Sequence, residues 1–138
     1  MKTILTVIAV SLAMTLTAQL KPSIKITDAK VKVYDYDTGK RIKKYKLAEI
    51  LMIETFRKRG KKTISYKEIG IFDEVIEDIV YTVEKMENDS FYYYLDLYNE
   101  ETDEYVWMRI ARREKGDVQI LLRNELYYIK GRIITRNL

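Results

Sequence analysis

Residues Phe91–Arg112 read "FYYYLDLYNEETDEYVWMRIAR", and apolar side chains recur there at every second position. In the first half one face carries Phe91, Tyr93, Leu95 and Leu97; the other carries Tyr92, Tyr94, Asp96 and Tyr98. In the second half Val106, Met108 and Ile110 share a face, with Tyr105, Trp107, Arg109 and Ala111 on the reverse. Period two marks a strand with one buried face, and two such runs around a polar loop make a hairpin. Closing the acidic loop Asn99–Glu104 symmetrically sets Tyr98 opposite Tyr105, Leu97 opposite Val106, Leu95 opposite Met108 and Tyr93 opposite Ile110. Apolar then meets apolar, as register demands where one face is buried. Tyr94 falls opposite Arg109, and Asp96 opposite Trp107.

The pattern extends in both directions. Downstream, "REKGD" predicts a three-residue loop Glu114-Lys115-Gly116 with Gly116 left-handed, which pairs Ile110 with Ile120 and Met108 with Leu122. A turn at Asn124-Glu125 would pair Leu122 with Tyr127 and Ile120 with Ile129. Upstream, a turn at "ENDS" precedes Phe91, and "IVYTVEKM" offers Ile79, Tyr81 and Val83 to the core face. In "IKITDAKVKVYDYDTGK" the apolar phase shifts between Ile26 and Ala29, predicting a bulge near Asp28; "DTGK" is a turn. Two segments fit helix or strand. Residues 46–59 contain helix formers, but the turn "RKRGKK" followed by "TISYK" favours a hairpin. Residues 73–83 place Ile76, Ile79, Val80 and Val83 on a helical stripe, which allows one short helix. The expected fold is all-β: an antiparallel meander curled into a small barrel or a two-layer sheet.

The first residues, "MKTILTVIAVSLAMTLTAQ", have a basic start at Lys2, an apolar stretch Ile4–Met14 and a small residue, Ala18, before Gln19. That is the form of a secretory signal, predicted to span 1–18 and to leave one domain, 19–138, in the periplasm or outside the cell. The apolar stretch is shorter than the ~20 residues that cross a bilayer, and no later run reaches that length. The formal charge of +4 is mild and argues against a nucleic-acid partner. Without cysteine, the exported domain depends on packing alone and has no thiol for a lipid anchor.

Composition also bounds the chemistry. With no histidine and no cysteine, Ser-His-Asp and Cys-His catalysis and the common zinc and copper sites are ruled out. No glycine-rich phosphate loop is present, and no cofactor is expected. A carboxylate-based hydrolase survives only as a remote alternative. "DYDTGKRIKKYK" starts like a calcium loop but puts Lys40 where glycine is needed and Lys46 at the bidentate position. The more anionic loop 99–104 could hold calcium weakly but lacks a specific ligand pattern and reads better as a solvated hairpin loop, so no metal site is expected. Two basic clusters, Lys40/Arg41/Lys43/Lys44/Lys46 and Arg57/Lys58/Arg59/Lys61/Lys62, suit anionic head groups or acidic glycans, or guard strand edges against aggregation. The candidate ligand contacts are Tyr92, Tyr94, Tyr98, Tyr105, Trp107 and Arg109, which share the face opposite the small apolar residues. The same rings would serve equally as a cross-strand ladder stabilising the sheet.

The exported start ending in "LTAQ", the opening "VYDYDTGK" and the closing meander Ile79–Ile133 resemble small secreted lipocalin-like β-barrel proteins of the Bacteroidota. The Gly-x-Trp motif of true lipocalins is absent, and the single tryptophan, Trp107, lies late in the chain. The expectation is an exported, non-enzymatic β-protein that holds a small apolar molecule or a glycan on its Tyr/Trp face or inside the barrel. The alternative is a structural or protein-interaction module of the cell envelope, pairing through an exposed sheet edge.

Overall fold

In the computed structural model, which describes residues 24–58 and 60–135, eight antiparallel strands follow one another and close into a barrel. They are β1 (Ile24–Asp35), β2 (Arg41–Lys58), β3 (Lys61–Ile69), β4 (Val75–Asn88), β5 (Tyr92–Asn99), β6 (Glu104–Ala111), β7 (Asp117–Leu122) and β8 (Glu125–Thr135). β8 pairs back onto β1, from Ile24↔Thr135 to Asp35↔Glu125, so the meander is a barrel rather than two layers. The signal sequence expected at 1–18 lies outside the described residues. Turns 36–40, 70–74, 100–103 and 123–124 form one rim, called upper here; the β2–β3 connection and turns 89–91 and 112–116 form the lower rim.

The β5–β6 hairpin adopts the register read from the sequence at every pair from Tyr93↔Ile110 to Tyr98↔Tyr105. Leu95, Leu97, Val106, Met108 and Ile110 point inward and are buried, together with Ile24, Ile26, Leu47, Ile50, Met52, Ile64, Ile120 and Ile129 from the other strands. Phe91 departs from expectation: it is 69% exposed, in the turn before β5. Asp89 causes this, because its Oδ1 accepts the backbone N–H groups of Phe91 (2.7 Å) and Tyr92 (2.8 Å) and starts the strand one residue later.

The next two hairpins keep the expected faces but slip by two residues. Ile110 pairs with Val118 and Met108 with Ile120, not with Ile120 and Leu122. Gly116 is not left-handed; it lies against Ala111, where an added Cβ would come within 2.1 Å of the Ala111 Cβ. The glycine answers a need for space, and the loop is correspondingly longer. At β7–β8 the turn is Arg123-Asn124, both with positive φ (50° and 64°), and Leu122 pairs with Glu125. Two left-handed central residues make the tight hairpin turn whose twist matches the strands. Asn124 tolerates that backbone, and it is fastened by its Nδ2–H donating to Asp37 Oδ2 at 2.6 Å.

The ambiguous segments are both strands, and the described residues contain no helix. In 73–83 the density of Val75, Ile76, Ile79, Val80, Thr82 and Val83 favours a pleated backbone over the helical stripe. The bulge at Asp28 is present: its φ is 51°, and the β1–β8 register shifts between Thr27 and Lys30. Ile26 and Ala29 both turn inward across it, and Gly131 of β8 fits beneath, where a Cβ would stand 2.7 Å from the Thr27 carbonyl oxygen.

Candidate functional site

The six residues singled out by the sequence lie on the outer wall of β5 and β6, opposite the buried apolar set. The structure divides them into groups. At the lower rim the Tyr92 and Tyr94 rings stand 6.1 Å apart, and the Arg109 guanidinium lies over Tyr92 at 4.2 Å from the ring centroid. At the upper rim Tyr98 and Tyr105 pack at 4.9 Å. Trp107 sits between the groups, half-buried, paired with Asp96 and Leu121. The rings are a divided surface rather than one platform.

Two of the hydroxyls already serve turns. Tyr94 Oη donates to Asp89 Oδ2 at 3.0 Å, the acid that also caps the β4–β5 turn. Tyr98 Oη donates to Asp103, which pushes its phenol up to about 12. The carboxylates of the acidic loop are likewise committed separately: Glu100 accepts from Thr82 at 3.2 Å, and Glu104 pairs with Arg123. Glu100, Asp103 and Glu104 each have a separate partner, and no three acids converge on a cation among the described residues.

Tyr92 borders a different feature. A cleft of about 540 Å³ lies on the lower rim between Tyr92, the loop Arg113–Asp117 and Lys130–Arg132 of β8. The loop is held over β8 by the Ile133 N–H donating to the Glu114 carbonyl at 2.9 Å and by the Arg132–Glu114 ion pair. Asp117, on the cleft wall, faces Arg109 at 3.8 Å. Arg109 thus connects the ring pair to the cleft, and its buried Nε has no hydrogen-bond partner. The side chains of Arg113, Lys115 and Lys130 have no ion-pair or hydrogen-bond partner among the described residues. Of the second basic cluster, Lys61 and Lys62 are paired with Glu84 (3.8 Å) and Glu54 (3.2 Å), while the side chains of Arg57, Lys58 and Arg59 lie outside the described residues.

The sequence reading missed both the cleft and a cluster inside the barrel. Glu68 is 7% exposed and accepts from the buried Tyr66 Oη at 2.7 Å. Its charge reaches Tyr45, Tyr66, Tyr81 and Tyr127, whose phenols are all pushed up, mainly by burial; Tyr81 and Tyr127 reach about 12. Burial likewise raises the Glu68 carboxyl, against the lowering effect of Tyr66. The period-two count Ile64, Tyr66, Glu68 along "ISYKE" carried this signal, since all three share one face.

A consequence concerns pH. With its folded pKa raised above 4.5, Glu68 contributes stability that is present below that value and lost as pH rises through the folded pKa. Glu68→Gln is expected to remove this loss while its amide oxygen still accepts from Tyr66. The variant should therefore be the more stable protein near pH ~7 and lose its advantage near pH ~4. Urea midpoints at both pH values check this; a variant weaker at neutral pH would refute it.

Among family models and curated proteins, no match to the chain is found.

Proposed function

We propose that this chain is an exported, non-enzymatic binding protein of the lipocalin-like barrel type, and that its ligand is an acidic glycan held in the lower-rim cleft beside Tyr92. One observation carries the proposal: Arg113, Lys115 and Lys130, three cations without a partner among the described residues, line a ligand-sized cleft with an aromatic ring on its wall. An aromatic face suits the apolar face of a sugar ring, and the cations suit its carboxylates. Leu95, Leu97, Met108, Ile110 and Ile120 are buried in one apolar cluster inside the barrel, which favours a site at the rim for a charged ligand. The signal-like residues 1–18 support the exported setting.

The test is calorimetric titration with a uronic-acid tetrasaccharide, a neutral tetrasaccharide of the same length and a fatty acid. Only the first is expected to bind, and more weakly as salt rises. Lys115→Glu with Lys130→Glu should weaken it by at least ~10-fold, or about 1.4 kcal/mol. Tyr105→Ala, at the opposite rim, should leave it unchanged. Equal affinity for the neutral sugar, or no binding at all, would sink the proposal.

A further inference from the structure

Two strands each leave part of one backbone edge unpaired. β2 pairs with β1 from Arg41 to Met52 but with β3 only from Glu49 onward, so 41–48 has a neighbour on one side alone. β4 pairs with β3 from Val75 to Thr82 but with β5 only from Thr82, so 75–81 is open on its β5 side. No turn or loop backbone bond covers either stretch among the described residues. Both edges lie at the upper rim.

Their chemistry is opposite. The β2 edge carries Arg41, Lys43, Lys44 and Lys46, all exposed and in no ion pair among the described residues; Lys43 lies 5.7 Å from the Tyr45 ring centroid. The β4 edge carries Glu77 and Asp78 between three exposed apolar residues, Val75 (57%), Ile76 (48%) and Val80 (57%). Asp73 and Glu74 in the preceding turn add to its negative charge. Lysines protect an open edge from indiscriminate pairing, whereas β-branched residues on one invite a strand.

We propose that the chain self-associates by strand addition, the β2 edge of one copy pairing antiparallel with the β4 edge of another. One register brings the complementary side chains together on the outer face. On the outer face it sets Ile42 opposite Val80, Lys44 opposite Asp78 and Lys46 opposite Ile76; on the inner face, Lys43 meets Ile79 and Tyr45 meets Glu77. Apolar meets apolar at Ile42–Val80, and cation meets anion at the central pair Lys44–Asp78. The occupant is a second copy because the complementary edge, of matching length and opposite charge, belongs to this same chain. Main-chain bonds supply the affinity and the side-chain alternation the register. Each copy offers one edge of each kind, so two copies exchanging both would form a closed dimer.

Sedimentation velocity tests the proposal. The wild-type chain is expected to associate with rising concentration, and less so at high salt. Lys44→Glu and Asp78→Lys should each weaken association by at least ~10-fold, since like charges then face each other at the centre of the pairing. An equimolar mixture of the two variants should regain it, because the reversed charges meet. Asp78 also pairs with Lys67 at 3.9 Å, so a variant damaged in its own fold would fail this rescue while circular dichroism reports the damage. If both variants stay folded, a mixture that remains monomeric overturns the proposal, as does a wild type that is monomeric at every concentration or an association that neither substitution changes. Cleft binding is expected to be the same for both variants, which separates this test from that of the ligand site.

Discussion

Ile110→Ala is expected to lower the unfolding free energy by ~2–5 kcal/mol, a large share of the ~5–15 kcal/mol available to a domain of this size. Ile110 is 0% exposed and sits between Tyr93 on β5 and Val118 on β7. Removing three carbons there forfeits their transfer from water and leaves a void that neighbours on a closed sheet cannot collapse to fill. The read-out is a lower urea midpoint at unchanged slope. Tyr105→Ala, on the same strand with the opposite facing and 71% exposed, should shift stability by less than ~1 kcal/mol. The pair tests the facing itself: if the tyrosine change costs more than the isoleucine change, the inner and outer faces of β6 are misassigned.

Gly131→Val should be the second severe change, costing ~1–3 kcal/mol or more through overpacking. A Cβ at Gly131 would lie 2.7 Å from the Thr27 carbonyl oxygen, 2.8 Å from Ile26 Cγ2 and 3.2 Å from Ala29 Cα. Two of these three atoms are backbone, at a bulge fixed by pairing on both sides, so they have little room to yield. Strand propensity alone would favour replacing this glycine, so the sign of the effect separates the close approach from intrinsic preference. Gly70→Ala makes the control. The three atoms nearest its Cβ would all belong to the Glu74 side chain, and that exposed carboxylate can swing away. Thermal melts in which Gly131→Val matches the wild type would show that β1 does not press on β8 there.

The sequence made the central hairpin readable to the individual pair because two independent constraints agreed. The apolar alternation of Leu95, Leu97, Val106 and Met108 fixed the faces, and the symmetric acidic loop fixed the offset. At β6–β7 and β7–β8 only the first constraint held. A two-residue slip preserves every face, so periodicity could not detect it. The deciding facts there were the crowding of Gly116 against Ala111 and the left-handed Arg123. The bulge at Asp28 was legible as a break in phase, whereas the closure that places Gly131 beneath it was not. The candidate site was legible only in part. Tyr92 and Arg109 stood out as an aromatic and a cation facing the same way, but the cleft draws on 113–117 and 130–132, which meet through a loop fastened across β8. Glu68 was overlooked for another reason: a carboxylate on the inner face contradicts the usual partition of charge, and Tyr66 is what makes it tolerable.

The seam between β1 and β8 also sets a condition on time. Ile24 pairs with Thr135, so the first described strand is completed only by the last. A chain emerging from amino to carboxyl end can form its hairpins one by one, each a local event. It cannot hide the outer edge of β1, or seal its apolar interior from water, until nearly the whole sequence is free. The β1–β8 pairing is thus the contact of greatest sequence separation in the sheet, and the last that such a chain could make. Until that moment the growing sheet keeps two free edges.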